Sequence, residues 1–188
     1  AQQTSAADFV VDPADSSRIQ YKGARAAVVG DDAVFQRCTF GMVWDAGSAT
    51  CTGTPRSFPS MADAQAAVDQ FNASFNPPLT SSKSWRIANI NELRLLVPAP
   101  IGAAPTTYAV FPNTPPDFFW SSTKFAVSKT TDVGNFVLNF ADGSTSSSSG
   151  GNKYVRLITG YWPNDSFDYQ VVPTDHSLVV DVGTVNIG

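Results

Sequence analysis

The chain has 188 residues, 43% of them apolar and only 15% charged, with a formal net charge of −4. This apolar content predicts a globular protein with a buried core and excludes an intrinsically disordered chain. The sequence has no Lys/Arg cluster of the kind that nucleic-acid binders carry, and no apolar run of the ~18 residues that a membrane span needs.

The negative charge lies at the two ends of the chain. Residues 1–20 carry a charge of −2 and residues 161–188 carry −4, whereas the centre carries +2. The acidic total therefore does not exclude an anionic ligand at the centre. The stretch AQQTSAAD, with no initiator Met and no charged n-region, is typical of the end that signal peptidase leaves, although a cloning boundary would look the same. These features predict a secreted or cell-surface protein whose signal peptide has been removed.

The first predicted elements are two short strands, DFVVDP and RIQYKG, which turn residues punctuate. A helix follows in SMADAQAAVDQFNASF, where apolar residues recur at helical spacing behind a Ser60 cap. The two consecutive prolines that come after it end this helix.

A second helix is predicted in NINELRLLVP. Asn89 is its cap, and Glu92 stands three residues further on, which is the capping-box arrangement. The pattern gives Glu92, the only glutamate of the chain, a structural role at the helix start.

Antiparallel strands are predicted in the second half, after a long Pro-rich loop. FFWSST, NFVLNF and KYVRLI are the strand candidates. In the last two, successive side chains alternate between the two faces of the strand. Between them, ADGSTSSSSGGN predicts a flexible polar hairpin loop with a solvated tip. The acidic tail adds two further strand signals, FDYQVV and SLVVDVGTVNI.

Four stretches occur in an order that resembles a known family. They are FQRCTFGMVWDAGSATCTG, WRIANINEL, FWSST followed by FVLNFADGS, and YVRLI, over roughly residues 31–160. The resemblance is to the C-terminal domain family of the Legionella collagen-like adhesin. Two departures are Phe35, where Trp is usual, and Ala88 with Asn89, where Pro-Thr is usual.

The resemblance implies a C-type-lectin-like α+β fold, with two helices packed on twisted antiparallel sheets and long loops. It also implies a bacterial surface or secreted protein, as family members are. The named adhesin uses this domain, as a trimer, to bind sulfated glycosaminoglycans. We expect a single domain over residues 1–188 with a family-like core at 31–160. Residues 1–30 and 161–188 are then terminal extensions with extra strands, available for contacts between subunits.

Cys38 and Cys51 are the two cysteines of the chain. A zinc site needs four ligands, and the sequence offers only His176 besides the cysteines. A redox pair is usually Cys-x-x-Cys, which this spacing is not. In a secreted chain the pair is best interpreted as one disulfide that closes a surface loop. Phe40 and Trp44 inside that loop are expected to pin it to the core.

No catalytic, metal or cofactor site is predicted. His176 is the single histidine, and its neighbours Asp175 and Ser177 point away from it if the segment is a strand, so they form no Ser-His-Asp triad. YWPND at residues 161–165 resembles a lectin calcium motif, but a proline interrupts it and a turn is the better interpretation. We therefore expect a protein that is not an enzyme.

Lys124, Lys129 and Lys153, with Asn152, lie on or beside the predicted strand loops. Lysines there are candidates to meet sulfate or carboxylate groups, although they can also be ordinary solubilising lysines. The predicted function is a non-catalytic adhesion module that binds a glycan or other surface polymer. The alternative is a homo-oligomeric subunit, as a trimer or a filament, in which the terminal strands join an extracellular fibre. Trp120 and Arg156 are expected to be core or strand-pairing residues.

Overall fold

The computed structural model describes residues 5–23, 33–75, 77, 84–98, 102, 107–126, 133–160, 169–172 and 175–181. These ranges hold two α-helices and twelve strands, which makes the chain an α+β protein, as predicted. In chain order the elements are β1 (Phe9–Val11), β2 (Arg18–Tyr21), β3 (Val34–Gln36), β4 (Val43–Asp45), β5 (Thr50–Thr52), α1 (Met61–Ala73), β6 (Arg86–Ile87), α2 (Ile90–Leu95), β7 (Phe118–Ala126), β8 (Val133–Asn139), β9 (Thr145–Ser148), β10 (Leu157–Thr159), β11 (Tyr169–Val172) and β12 (Asp175–Asp181).

Both helices begin at the side-chain caps that the sequence predicts. The Ser60 hydroxyl accepts a hydrogen bond from the Asp63 N–H at 3.1 Å. Asn89 Oδ1 accepts from the Glu92 N–H at 2.9 Å, and Glu92 Oε2 accepts from the Asn89 N–H at 2.8 Å. This reciprocal pair satisfies two N–H groups that the helix cannot pair itself, so the capping box is confirmed.

The strands form two five-stranded sheets and a separate hairpin. Sheet 1 has the order β1-β2-β3-β10-β6, sheet 2 the order β12-β11-β7-β8-β9, and β4 pairs with β5 alone. All pairs are antiparallel except β7 with β11, which is parallel. The predicted terminal strands therefore join the sheets of their own chain: β1 and β2 continue sheet 1, and β11 and β12 continue sheet 2.

The serine-rich stretch differs from its predicted structure. Thr145–Ser148 forms the edge strand β9, paired in register with β8 from Thr145 opposite Leu138 to Ser148 opposite Asn135. The prediction of a flexible hairpin loop there was wrong. Ser and Thr fit an edge strand because its outer side faces water and needs no apolar side chains.

The core consists of two aromatic-rich clusters. The first packs α2 between the sheets, and its fully buried residues include Ile19, Phe35, Leu93, Phe119 and Leu138. The second packs α1 on the opposite side of β7 and β8, around the buried residues Val68, Trp85, Trp120, Val137 and Leu157. Adjacent residues of β8 thus enter different clusters, which confirms the predicted alternation of Val137 with Leu138.

Candidate ligand-binding groove

A cross-linked hairpin forms one part of the surface. Cys38 and Cys51 are joined by a disulfide with Cα atoms 5.6 Å apart, so this prediction is confirmed. Inside the bridge, β4 and β5 pair with Trp44 opposite Cys51. The Phe40 carbonyl accepts from the Arg56 N–H at 2.9 Å where the chain leaves the hairpin. The disulfide and this contact hold the hairpin in one position.

Trp44 lies at the surface and not in the core. Its indole is half-buried and donates from Nε1 to the Ser16 hydroxyl at 3.2 Å. The Arg37 guanidinium lies over the indole, 3.5 Å from the ring centre, and donates to the carbonyls of Ser16 and Val110 at 3.1 Å each. Only Phe40 of the two aromatics is buried, so the predicted anchoring holds for Phe40 and was wrong for Trp44.

A groove of about 260 Å³ lies beside this hairpin. The hairpin contributes Met42, Val43 and Trp44 to its lining, and the end of α1 contributes Phe71 and, just beyond it, Phe75. Trp85 and Cys38 also line it, and both are buried, at 5% exposure each, so they form its floor. The groove is therefore mainly aromatic and apolar.

Its polar groups come from the N-terminal segment and β3. Asp15, Ser17, Arg18 and Gln36 line the groove. Arg18 Nε lies 3.1 Å from Asp15 Oδ2, with about two fifths of each side chain exposed at 42% and 41%. The backbone register places Arg18 opposite Gln36. The Arg18 guanidinium, the Asp15 carboxylate and the Gln36 amide thus lie beside the aromatic surface of the groove.

Asp15 remains an anion at neutral pH. Partial burial alone would raise the pKa of its carboxyl group, but hydrogen bonds from Ser17 and the nearby charge of Arg18 outweigh this and lower the pKa. The Ser17 N–H and hydroxyl donate to Asp15 Oδ1 at 2.9 and 2.6 Å. The carboxylate is therefore held in one orientation beside the groove.

Arg156 supports the groove from inside the protein. Its side chain is fully buried and donates to the Arg37 carbonyl at 2.7 Å and the Gln36 carbonyl at 3.3 Å. It also donates to the hydroxyls of Thr39 at 3.3 Å and Thr114 at 2.7 Å. Burial lowers the pKa of Arg156 to about 9, which leaves it charged at neutral pH. The predicted core role of Arg156 is confirmed, and so is that of Trp120, which is 1% exposed.

Glu92 has the structural role that was predicted, with one partner that the sequence did not indicate. Its carboxylate is fully buried and accepts from both terminal nitrogens of Arg86, at 2.8 and 2.6 Å. This two-pronged pairing and the cap of α2 account for both carboxylate oxygens. The ion pair joins β6, which follows Trp85 in the groove floor, to the start of α2.

The structure describes three of the four residues of the predicted lysine site, which stays a prediction. Lys124 and Asn152 are exposed, and Lys129 lies outside the described residues. Lys153 is only 9% exposed, and its Nζ donates to the Gly150 carbonyl and, at 3.1 Å, to the Gly151 carbonyl. The same Nζ lies 4.3 Å from the centre of the Trp120 ring. Burial lowers the pKa of Lys153, and the charge of Asp117 partly offsets this. The Lys153 ammonium is thus engaged within the protein.

Among the described residues, no three His, Cys, Asp or Glu side chains are grouped to hold a metal ion. The part of the chain that the structure describes also has no helix that is long and apolar enough to cross a membrane. His176 lies in β12, and residues 161–165 lie outside the described ranges.

The sequence did not indicate this groove, because its lining comes from four separated segments. The pairing of β2 with β3 brings two of these segments together, and packing in the second core cluster positions Phe71, Phe75 and Trp85. The one feature of the sequence that could have indicated the groove is Trp44, which lies inside the loop that Cys38 and Cys51 close.

Comparison with known proteins gives one family. The family model described as the Lcl C-terminal domain matches residues 34–159. Among curated proteins and solved structures, no match was found.

Proposed function

The chain belongs to the Lcl C-terminal domain family, and on this premise we propose that it is a non-catalytic adhesion module, secreted or displayed on a cell surface, that binds a glycan through the groove. The family indicates an adhesin-like surface module. We also propose that its α+β architecture is a variant of the C-type-lectin-like fold.

The observation that carries the proposal is the composition of the groove. Small-ligand sites are concave and mostly apolar, with a few convergent polar groups that fix orientation. Here a surface tryptophan, a phenylalanine pair and an Asp–Arg–Gln set share one concavity. Sugars present apolar C–H faces and a ring of hydroxyl groups, so they need both kinds of contact at once.

The groove is also preorganised, which supports a binding role. The disulfide fixes the hairpin that carries Trp44, and Arg37 holds the indole from one side. Arg156 fixes the backbone at Gln36 and Arg37. A site that is ordered before binding loses less conformational entropy when its ligand arrives.

The test is retention of the protein on a panel of immobilised polysaccharides, neutral and anionic. We expect wild-type protein to be retained by at least one polysaccharide and Trp44→Ala to be lost from it. Trp44→Phe keeps an aromatic face and should retain part of the binding. Lys124→Ala is the matched control, since it removes an exposed charge outside the groove lining.

Loss of retention with Lys124→Ala, and not with Trp44→Ala, would return the binding site to the lysine loops predicted from the sequence. Failure of every polysaccharide to retain the folded wild-type protein would show that the module does not bind glycans.

The fibre-subunit alternative has less support. Both terminal segments pair within their own chain, and β2 and β11 are interior strands with a partner on each side, whereas β1 and β12 are edge strands. A self-assembling subunit would use the outer edge of a sheet, which is β1 or β6 in sheet 1 and β12 or β9 in sheet 2. Sedimentation velocity over a range of protein concentrations tests this alternative, and a concentration-independent monomer would reject it.

A further inference from the structure

The groove is lined by residues from inside the region that the family model matches and by residues that precede it. The family model begins at residue 34, whereas Asp15, Ser17 and Arg18 precede it. The matched region supplies the aromatic part, including Trp44, and the segment before it supplies the ion pair. Most of the polar chemistry of the groove therefore lies outside the sequence that defines the family.

We propose that residues 15–18 determine ligand specificity, and that they select an uncharged sugar ring over anionic saccharides. This inference rests on the proposed glycan-binding function and names the ligand class for the same groove.

Local geometry fixes the segment in place. In β2, Ile19 and Tyr21 are buried in the first core cluster. Because strand side chains alternate, Arg18 must point to the other face. The Asp15 carbonyl accepts from the Arg18 N–H at 3.0 Å, and this tight turn returns the Asp15 carboxylate to the Arg18 side chain. The ion pair is therefore a fixed feature of the groove.

The charges of the groove disfavour an anionic ligand. Among the described lining residues, Asp15 and Arg18 are the charged groups and largely cancel each other at 3.1 Å, so these residues give little net attraction for sulfate or carboxylate groups. An anion that entered would also face the Asp15 carboxylate, and like charges at close range repel.

A cationic ligand is disfavoured as well. The Arg37 guanidinium already covers one face of Trp44, and two of its N–H groups donate to carbonyls. Arg37 does not line the groove, so the ligand meets the opposite face or the edge of the indole. A second cation there would feel the charge of Arg37 through the ring. Since the charged groups of the groove disfavour both anionic and cationic ligands, we expect the ligand to present uncharged polar groups.

A single sugar ring matches the remaining space and donors. At about 260 Å³ the groove is slightly smaller than the ~300 Å³ lower bound typical of drug-sized ligands. Trp44 and Phe71 offer aromatic surface to the C–H face of a ring. Asp15 accepts from hydroxyl groups, while Arg18 and Gln36 donate to them.

The experiment measures binding of neutral and anionic probes by tryptophan fluorescence and chemical-shift perturbation. The neutral probes are maltotriose, cellotriose, mannotriose and galactobiose, and the anionic probe is a heparin tetrasaccharide. We expect wild-type protein to bind one neutral probe with an affinity that is nearly independent of salt. Asp15→Ala should weaken that binding about tenfold, as expected for loss of one hydrogen bond to a charged group.

Asp15→Ala should also strengthen heparin binding at low salt, because it leaves Arg18 unpaired. Asp15→Asn is the second variant, since its amide oxygen can still accept from Ser17 and keep the turn. Circular dichroism verifies that both variants fold, and Asp69→Ala, which removes an exposed carboxylate outside the groove lining, is the control for a general change in charge.

The outcomes separate this inference from the proposed function. Salt-sensitive binding of heparin alone by the wild type overturns the neutral-ligand inference while glycan binding stands. Unchanged neutral-probe affinity in Asp15→Ala overturns the role of residues 15–18. Binding of no probe of either class overturns this inference and, with failure on immobilised polysaccharides, the proposed function too.

Discussion

Arg156 is a fully buried cation, and among the described residues no carboxylate lies within ion-pair distance of it. Backbone carbonyls and two threonine hydroxyls take the place of a counter-ion. The planar guanidinium suits this role because its donors point outward in a fixed fork. Arg156 directly precedes β10, and its side chain thereby joins the start of that strand to the end of β3, to the segment after β3 and to Thr114 in the loop before β7.

We predict that Arg156→Ala lowers the free energy of unfolding by about 3 kcal/mol, because a buried acceptor left without a donor costs ~1–3 kcal/mol. Arg156→Lys should recover little, since an ammonium cannot reach the same acceptors. Urea denaturation measures both variants. The control is Arg94→Ala, which removes an exposed guanidinium with a single 3.0 Å bond to Thr145. It should change stability by less than ~0.5 kcal/mol, and equal losses in the two alanine variants would contradict the prediction.

The pH dependence of stability follows from three aspartates. Hydrogen bonds from Ser48 and Ser144 lower the pKa of Asp45 and Asp142, respectively, and the pKa of Asp15 is lowered by Ser17 and Arg18 despite partial burial. A carboxyl group with a lower pKa in the folded state stabilises the fold above its unfolded pKa, and this contribution is lost as pH falls through the folded pKa.

Stability should therefore be flat between neutral pH and about pH 5 and decline below about pH 4, where these carboxylates take up protons. Asp15→Asn should lower the melting temperature at neutral pH and have a smaller effect at pH 3, because the stabilisation by the charged carboxylate diminishes as pH falls below the unfolded pKa. Thermal melts at both pH values test this. An equal shift at the two pH values would show that the Asp15 charge does not contribute.

At the scale of elements, the disulfide hairpin β4–β5 links stability to binding. Replacement of both Cys38 and Cys51 by serine should cost about 3 kcal/mol by the loop-entropy estimate for a closure of this size. It should also weaken glycan binding, because Trp44 is then no longer held beside Phe71. Calorimetry and probe titration at a temperature where the variant is folded measure the two effects. Full binding by a destabilised variant would show that the hairpin is positioned without its cross-link.

The helices and the strands with an apolar pattern were predicted, whereas a strand without such a pattern, which forms only because it pairs with another segment, was not. The caps at Ser60 and Asn89 and the apolar spacing behind them lie within a few residues, so both helices could be identified. The strand β9 depends on β8, where Gly134 allows close approach: a Cβ there would lie 2.7 Å from the Ser148 carbonyl oxygen. A serine run carries no apolar alternation, so this pairing could not be recognised in the sequence.

At the scale of the whole molecule, the N-terminal segment is part of the domain and not an appendage. The Phe9 ring lies 5.3 Å from Tyr21, 5.0 Å from Tyr108 and 5.4 Å from Phe111, measured between ring centres. Ile19 and Tyr21 enter the same cluster and are almost completely buried. The family resemblance predicted a core at residues 31–160, but it could not show that residues 9–21 complete that core and the groove.

This integration gives a prediction from paired truncations. A chain that begins at residue 33 loses Phe9, Ile19 and Tyr21 from the first core cluster, and a single Phe→Ala change in a core already costs ~3–5 kcal/mol. Since typical domains are stable by only ~5–15 kcal/mol, we expect this chain to lack cooperative unfolding and to bind no probe.

The matched truncation ends at residue 160 and removes β11 and β12. Every residue named here in the two clusters and the groove precedes that point, so this chain should remain folded and bind as the full chain does. Cooperative unfolding of the chain that begins at residue 33, at the melting temperature of the full chain, would show that the matched region is a complete domain by itself.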